Sequence, residues 1–436
     1  MSSDLPQRTS AGVDRAGSPP SIEPDSPSLT IRNATLRHGE GLHQIRIDSG
    51  RVTGIVPEGD TQLDGETEID AECGLVTEAF VNGHLHLCKV YTLDQLGDAA
   101  LKDYHAAGMG GAMSAIEAAA AIKKDYRAER VAENAARAVE RAIVYGTGYI
   151  RAFADTDTSA RLEGVKGVMA VRDRYRDSIR IDVVAFPQDG LIRDPGAEQL
   201  VREALKLGAD VVGGIPWIEF TDADAHAHVE RMCELAREYD RDISMLVDDA
   251  GDAGLRTLEL LATKVAEIGW QGRVTAQHAR AMQLYAEPYF RKLCALLQRA
   301  GIGVVSDPHT GPLHARVRDL LAAGIPVALG QDDVFDAYYP FGRNNMLEVA
   351  FLAAHLLWMT SPQEIETLYD MITVHAARVV GLDEYGLRPG GRADLVIHTV
   401  SRVDHALAEH APPRVVLHGG RVVAHDGSLV LAEAQR

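Results

Sequence analysis

The sequence of 436 residues predicts an α/β protein in which a (β/α)8 barrel is joined to a small β-module. Two observations support this prediction. Apolar, strand-like runs alternate with helical patterns eight times over roughly 300 residues, which is the repeat count of such a barrel. Short alternating segments separated by Gly and Asp precede these units and return after them, so both ends of the chain are predicted to contribute strands to the module.

The predicted elements follow one another in a simple order. Residues 1–28 are rich in Pro, Ser and Asp and contain no apolar stretch, which predicts a disordered tail. The first part of the β-module spans 29–76, the barrel spans 77–383, and the second part of the module spans 384–436. Charged, Ala-rich segments such as Pro195–Leu207 are predicted to be the barrel helices. The predicted barrel strands are Ala79–Leu87, Gly148–Ala152, Ile179–Ala185, Val211–Ile215, Ile243–Val247, Val274–Ala276, Gly303–Ser306 and Val327–Gly330.

Composition and charge argue against several classes of function. The chain has 63 acidic and 44 basic residues and a formal net charge of −19, a balance that argues against binding to nucleic acid or to an anionic membrane surface. No stretch approaches the roughly 18 apolar residues of a membrane span. The four cysteines lie far apart and form no CxxC motif, which favours a reducing cytoplasm over a disulfide scaffold or a thiolate zinc site. We therefore expect a cytoplasmic protein without a nucleic-acid or membrane partner.

The most informative motif lies in the first barrel strand, where His84 and His86 form an HxH pair. Side chains two apart on a strand share a face, so both imidazoles are predicted to point into the barrel. Two neutral imidazoles on one face suit a divalent metal, although a bare HxH is equally compatible with two unrelated histidines. A second pair, His226 and His228, falls in a predicted helix, where residues two apart diverge by about 200°. Both members of that pair are expected to face solvent.

Further polar residues follow the ends of later predicted strands. Asp332 and Asp333 come after an apolar run, and adjacent acids there are costly to bury without a cation, a proton or a substrate. A carboxylate that completes a two-histidine site suits zinc or iron, whereas the alternative role of this pair is to cap a helix. Asp248 and Asp249 form another acidic pair after a strand, and His278 follows the next one. A single histidine such as His278 is more often structural.

Six segments in this order give the chain a resemblance to the amidohydrolase superfamily. Within it, the chain is most similar to the cytosine deaminase branch, which includes enzymes acting on s-triazine rings. The resemblance covers about Leu29–Ala424, and it implies a distorted (β/α)8 TIM barrel, a small β-sandwich built from both chain ends, one divalent metal ion and a homo-oligomer. The segments are Gly83–His86, Val184–Gly190, Gly208–Pro216, Arg273–His278, Gln331–Asp336 and Gly386–Ile397.

The resemblance also implies roles at the metal. His84 and His86 would bind the ion, which would be zinc or iron, with manganese as a further option. Asp332 would be both a metal ligand and the general base. His278 would orient the attacking water, and Asp249 would relay protons to the leaving nitrogen.

The same resemblance places four residues around the substrate. Gln188 would contact ring heteroatoms, Asp333 would meet the far edge of the ring, and Trp217 and Tyr338 would contact the heterocycle. For Gln188 and Tyr338, the alternative is packing at the barrel rim. The segment Lys89–Gly111, after the first strand, is predicted to form a mobile part of the pocket.

One position departs from the family pattern. The family normally has a metal-ligating histidine at the end of the fifth strand and a proton-shuttling glutamate three residues later, whereas this chain has Leu246 and Asp249 there. Leucine cannot coordinate a cation. Asp248 lies two residues beyond Leu246, on the same face of an extended strand. Two arrangements are therefore open: direct coordination by Asp248, or a three-ligand site completed by water.

The motifs and the resemblance together predict a metal-dependent hydrolytic deaminase of a small amino-substituted N-heterocycle, such as cytosine, isocytosine or a triazine. A hydroxide generated at the metal would attack the ring carbon that bears the amino group. The altered proton shuttle leaves open a hydrolase that opens a cyclic amide ring. The missing ligand leaves open a metal-free, non-catalytic binding relative, but the retained histidines and Asp332 argue against it.

Overall fold

The computed structural model describes residues 28–59, 67–95, 120 and 122–430. Within these ranges the chain forms two sheets, one of them the barrel. Two predicted features, the tail over 1–28 and the pocket segment Lys89–Gly111, fall largely outside the described residues.

Eight parallel strands form the barrel sheet, in the spatial order β13-β12-β11-β10-β9-β8-β7-β6. The strands are almost entirely buried, as expected for a parallel sheet that is covered on both faces. The predicted (β/α)8 barrel is therefore confirmed. Its strands are β6 (Phe80–Leu85), β7 (Thr147–Asp155), β8 (Arg180–Phe186), β9 (Val211–Gly214), β10 (Asp242–Val247), β11 (Val274–His278), β12 (Gly303–Ser306) and β13 (Val327–Leu329).

Helices connect successive strands, and several start at recognisable sequence signals. The Thr221 side chain accepts a hydrogen bond from the Asp224 amide, and Ser361 with Glu364 forms a capping box. Among the described residues, no helix combines the length and apolarity needed to cross a bilayer. The helices are α1 (Ala128–Val144), α2 (Glu163–Tyr175), α3 (Ala197–Leu207), α4 (Asp222–Glu238), α5 (Thr257–Ile268), α6 (Glu287–Ala300), α7 (Val317–Ala322), α8 (Met346–Leu356), α9 (Pro362–Asp370), α10 (Val374–Val380) and α11 (Val403–Glu409). Short 3-10 turns span Leu93–Gln95, Pro216–Ile218, Arg280–Leu284 and Pro308–Thr310.

The second sheet joins strands from both ends of the chain, as the split module predicted. Its order is β17-β16-β15-β14-β5-β1-β2-β3, with β4 paired to β1. The antiparallel pair of β5 and β14 connects the two chain ends, and Ile31, Ile47 and Leu417 are among the residues of its apolar core. The exact limits of the domains stay a prediction. The strands are β1 (Leu29–Leu36), β2 (Leu42–Asp48), β3 (Arg51–Pro57), β4 (Thr67–Asp70), β5 (Leu75–Glu78), β14 (Leu395–Ile397), β15 (Val415–His418), β16 (Arg421–His425) and β17 (Ser428–Leu429).

The first and last barrel strands meet at a seam formed by Leu85 and Asp332, which make an isolated parallel bridge. The Asp332 amide donates to the His84 carbonyl at 2.9 Å, and the His86 amide donates to the Asp332 carbonyl at 2.8 Å. Asp332 has a φ of 65°, in the left-handed region. Just before it, Gly330 passes so close to β6 that a Cβ there would lie 2.6 Å from the Cβ of His84. The backbone that closes the barrel thus carries three of the predicted site residues.

Candidate active site

Four buried side chains converge at the C-terminal end of the barrel. His84 and His86 lie at the end of β6, His278 ends β11, and Asp332 follows β13. One potential ligand atom from each residue lies within 4.8 Å of the others. None of the four is more than 4% exposed. The C-terminal end is where (β/α)8 barrels carry their active sites, so we treat this group as the centre of the candidate site.

The geometry of this group suits a divalent cation. His84 Nε2 lies 3.1 Å from Asp332 Oδ1, and His86 Nε2 lies 3.8 Å from the same oxygen. Across the described residues, the buried Nδ1 atoms of His84 and His86 have no hydrogen-bond partner. Buried polar atoms are seldom left unpaired, and imidazole and carboxylate groups are ligands that zinc and iron accept readily. The residues present therefore fit a bound divalent metal.

The protonation states of the three histidines support the same conclusion. Burial lowers the pKa of His84 and lowers the pKa of His86 well below its usual value, so both imidazoles stay neutral with a lone pair available. Burial alone would also lower the pKa of His278, but the surrounding carboxylates, led by Asp249, raise it to about 9. The site as a whole thus favours bound positive charge.

Asp248 is turned away from this group. Strand β10 ends at Val247, and Asp248 has a φ of 48°, so the alternation of an extended strand does not continue through it. Its Oδ1 accepts hydrogen bonds from the Thr257 amide at 2.6 Å and the Thr257 hydroxyl at 2.7 Å. Its Oδ2 accepts a hydrogen bond from the Tyr285 hydroxyl at 2.7 Å. The carboxylate anchors the start of α5, and this placement corrects the expectation that Asp248 coordinates a metal.

Asp249 faces the group from the next position in the chain. Its Oδ2 lies 4.0 Å from His278 Nε2, and its Oδ1 lies 3.2 Å from Arg280 Nε. Burial raises the pKa of Asp249, whereas the charges of Arg280 and His278 oppose that rise. Asp249 lines the same cleft as His86 and Asp332. This position is compatible with the expected proton relay, which stays a prediction.

The expected substrate contacts surround the same cleft, and Lys89 joins two of them. Lys89 Nζ donates to Gln188 Oε1 at 2.6 Å and lies 4.5 Å from the centre of the Tyr338 ring. Because an ammonium group has only donors, this bond fixes the carbonyl oxygen of Gln188 on the lysine side and frees its NH2 group for another partner. The residues from the expected set that line the cleft are Gln188, Trp217, Asp333 and Tyr338.

Asp333 and Trp217 add polar atoms that the described part of the chain leaves without hydrogen bonds, namely Asp333 Oδ1 and Trp217 Nε1. Burial raises the pKa of Asp333 well above its usual value, and the neighbouring carboxylates of Asp332 and Asp336 raise it further. These effects outweigh the opposing charge of Lys89 and favour the protonated form of Asp333. Buried polar atoms of this kind in a cleft are groups that a polar ligand would satisfy.

The sequence reasoning missed three residues of this site: Arg280, Asp307 and Thr310. Arg280 Nη2 lies within hydrogen-bonding distance of three acceptors that share its two hydrogens: Asp307 Oδ2 at 2.6 Å, Thr310 Oγ1 at 2.7 Å and Asp332 Oδ2 at 3.3 Å. His278 Nδ1 lies 2.8 Å from Asp307 Oδ1. Asp307 directly follows β12, and the rule that polar residues after barrel strands face the site could have found it. No sequence signal identified Arg280.

The second HxH pair differs in part from the prediction. His226 on α4 is exposed, as expected, with 57% of its side chain accessible. His228 is fully buried: its Nε2 accepts a hydrogen bond from the Ile215 amide at 3.1 Å, and its Nδ1 lies 2.7 Å from Glu219 Oε1. The expectation that His228 faces solvent is wrong, because this side of α4 packs against the loop after β9.

Known proteins are similar to this chain in sequence and in fold. Over 405 residues it is 29% identical to N-isopropylammelide isopropyl amidohydrolase of Pseudomonas sp. (strain ADP), which covers 92% of this chain and 98% of that protein. It is 26% identical over 419 residues to pterin deaminase of Rhizobium rhizogenes, with coverages of 91% and 92%. The crystal structure of 5-methylcytosine deaminase from Klebsiella pneumoniae, liganded with 5-fluorocytosine, superposes with a TM-score of 0.84 at 27% identity, covering 93% of this chain and 100% of that one.

One family profile matches most of the chain, from residue 67 to residue 424, and its description is Amidohydrolase family. The matched range contains every strand of the barrel and all the residues of the cleft described above. The match and the buried group of three histidines and one aspartate agree with the resemblance read from the sequence. This chain belongs to the amidohydrolase family.

Proposed function

We propose that this protein is a metal-dependent hydrolytic deaminase, which releases ammonia or an amine from a small amino-substituted nitrogen heterocycle. The observation that carries the proposal is the buried group of His84, His86, His278 and Asp332 within 4.8 Å at the mouth of the barrel. The names of the three relatives support the substrate class, because N-isopropylammelide, pterin and 5-methylcytosine are all nitrogen heterocycles.

The metal ligands in this proposal are His84, His86 and Asp332, and the ion is zinc or iron, with manganese as a further option. Such an ion, when bound, lowers the pKa of a coordinated water towards neutrality. His278 Nδ1 lies 2.8 Å from Asp307 Oδ1, and His278 Nε2 lies 4.0 Å from Asp249 Oδ2. We assign it the orientation of the attacking water.

Two carboxylates move protons in this scheme. Asp332 accepts a proton from the attacking water, while its Oδ2 is held by Arg280 and Thr310. That proton passes to Asp249, which delivers it to the exocyclic nitrogen as the carbon–nitrogen bond breaks. The water oxygen remains on the ring, and its second proton moves to a ring nitrogen as the oxygen becomes an oxo group. A positioned acid or base of this kind contributes about 10²–10⁴-fold to the rate.

The remaining residues of the cleft bind the ring. The NH2 group of Gln188, fixed by Lys89, donates to a ring acceptor. The unpaired Asp333 Oδ1 and Trp217 Nε1 contact polar atoms at the ring edge, and Tyr338 covers its face. None of these contacts requires a charged substrate, which agrees with a neutral heterocycle.

We further propose that the protein is a cytoplasmic homo-oligomer. The four cysteines are free, and Cys88, Cys233 and Cys294 are buried, as is common in a reducing compartment. The oligomeric state follows from the family resemblance, and sedimentation analysis of the purified protein tests it.

The decisive experiment combines metal analysis with a substrate screen. Purified protein is assayed for ammonia or amine release from a panel of aminopyrimidines, pterins and amino-triazines, with an Asp332→Asn variant as the inactive control. A protein with only traces of divalent metal, and no gain in turnover from added zinc, iron or manganese, would refute the proposal.

Product mass separates deamination from the opening of a cyclic amide. The second reaction is kept as a candidate because Asp249 is shorter than the glutamate of the family and is paired with Arg280. Replacing an amino group with oxygen changes the mass by about 1 Da, whereas hydrolytic ring opening adds about 18 Da. The proposed function agrees with the first result, or, for a substituted amino group, with the additional loss of the mass of its substituent.

A further inference from the structure

We propose that Arg280 is a positioning residue that organises the metal site of this chain in place of the ligand missing at Leu246. The inference rests on one element of the proposed function, namely that His84, His86 and Asp332 hold a divalent ion. It does not depend on which substrate is hydrolysed.

Strand β10 offers the ion no donor. Leu246 is buried and belongs to an apolar cluster that contains Phe153 and Phe186. Asp248, the next residue on the same face of an extended strand, has its carboxylate occupied by Thr257 and Tyr285. The side of the site that faces β10 is therefore built without a metal-binding atom from that strand.

The chain after β11 brings a guanidinium to the site instead. His278 and Ala279 have φ values of 65° and 50°, two consecutive left-handed residues without a glycine. This turn is held by the Ala279 amide, which donates to the Val247 carbonyl, and by the Ala281 amide, which donates to the Asp248 carbonyl. It points Arg280, only 6% exposed, into the barrel mouth.

Arg280 contacts all three carboxylates of the inner site. Nη2 bonds to Asp307 and Asp332, and Nε lies 3.2 Å from Asp249 Oδ1. Thr310 also donates to Asp332 Oδ2, at 2.8 Å. Arg280 and Thr310 thus hold Oδ2 of Asp332 by hydrogen bonds. The other oxygen, Oδ1, faces His84 and His86. Hydrogen-bond partners that orient a ligating carboxylate are part of what sets metal affinity.

The charge of Arg280 also fits a site that holds an ion. A guanidinium stays protonated at any pH that a protein experiences, so its charge is permanent. It offsets only one of the three negative charges of Asp249, Asp307 and Asp332, so the carboxylates of the inner site still favour bound positive charge. Arg280 approaches Asp332 on the Oδ2 side, whereas His84 and His86 lie on the Oδ1 side, so its guanidinium leaves the ion position between those two histidines open.

The test measures zinc affinity of the full-length protein by competition with a chromophoric chelator. Arg280→Gln removes the charge and most of the contacts, and we expect it to weaken zinc binding about 10–100-fold, the usual effect of losing an outer partner of a ligand. Arg280→Lys keeps the charge but cannot bridge three carboxylates, and we expect an intermediate loss. It also serves as the second variant if Arg280→Gln does not fold.

Adding the missing ligand provides the sharper test. Because histidine and leucine have similar volumes, we expect Leu246→His to restore most of the zinc affinity when combined with Arg280→Gln. The matched control is Arg273→Gln at the opposite end of the barrel, where Arg273 also pairs with two aspartates, Asp240 and Asp242. That control should leave zinc affinity unchanged.

Three results would overturn the proposal: a wild-type protein that binds no zinc, an Arg280→Gln variant with wild-type affinity, or a weakened variant that Leu246→His does not rescue. The assay uses no substrate, so its outcome is separate from that of the proposed function. Arg280-dependent zinc binding without any ammonia release would refute the deaminase proposal and leave the role of Arg280 intact.

Discussion

The two ends of the barrel differ in how their buried acidic and basic side chains are paired. At the N-terminal end, a cavity of about 540 Å³ is lined by arginines and aspartates in close pairs, such as Arg180 with Asp182 at 3.0 Å and Arg273 with Asp242 at 2.7 Å. At the C-terminal end, three carboxylates share the single guanidinium of Arg280. The arginines named in the first arrangement are each matched by an aspartate, whereas the three carboxylates of the second outnumber the cationic groups of Arg280 and His278.

Unmatched charge, rather than cavity size, is the reason that we place the proposed chemistry at the C-terminal end. Arg151, deep in the N-terminal end, donates to the Tyr149 hydroxyl, the Thr275 hydroxyl and the Val380 carbonyl. Such pairing occupies the donors of Arg151 within the fold. At the other end, several buried polar atoms have no hydrogen-bond partner among the described residues, namely nitrogens of His84 and His86 and Oδ1 of Asp333. A bound ligand or ion would supply that partner.

The largest expected effect separates the two ends directly. Asp332→Asn removes a metal ligand and the general base, and we expect kcat/KM to fall by about 10³-fold or more. Asp242→Asn at the opposite end should change kcat/KM only a few-fold. Steady-state kinetics on the substrate found by screening checks both variants. If kcat/KM fell equally in the two variants, the difference in charge pairing between the two ends would not be related to catalysis.

Removing the metal is expected to destabilise only one end. An ion present at about 100 times its Kd stabilises the folded state by about 2.7 kcal/mol, so chelation should lower the Tm. Differential scanning calorimetry measures the shift, and Asp332→Asn should show none. Hydrogen exchange should increase around β6 and Asp332 and stay constant near Arg273. A uniform increase would contradict the expectation.

A single methyl group at the seam should have a smaller effect. Gly330→Ala places a Cβ within 2.6 Å of the His84 Cβ, so β6 must move. Overpacking of this kind costs about 1–3 kcal/mol, and we expect a displaced His84 to lower zinc affinity about 10-fold. Denaturant unfolding and zinc competition report the two effects. Unchanged zinc affinity would show that the seam does not set the position of His84.

The smallest effect concerns His398, which follows β14 of the second sheet and packs beside Phe80 at the start of β6. Burial is the cause of its shifted pKa. It lowers the pKa of His398 to about 4, whereas the unfolded chain titrates near 6.5. Its contribution to stability is therefore present above pH 6.5 and is lost as the pH falls from 6.5 towards 4, by at most about 1.4 kcal/mol per pH unit. Urea unfolding at pH 7 and pH 5 measures this loss. His398→Gln should reduce the difference, and an unchanged difference would contradict the assignment.

The sequence predicts the barrel well because each strand is a continuous apolar run between helical patterns. It also predicts the direction of His84 and His86, because they lie at the end of a regular strand with a period of two. It fails at Asp248 for a local reason. A left-handed residue without glycine leaves no trace in composition, and one such residue turns the carboxylate towards α5. The position of Arg280 could not be predicted for the same reason, because it follows two left-handed residues, His278 and Ala279.

The seam between Leu85 and Asp332 would couple the binding of the proposed metal ion to the last stage of folding. His84 and His86 lie at the end of the first barrel strand, and Asp332 follows the last one. An ion bound by all three would therefore connect the first and last strands of the barrel. The complete ligand set exists only after every intervening strand is in place. During refolding, the appearance of high zinc affinity would therefore report when the barrel closes. A fragment that lacks β13 and the residues after it would not have this affinity.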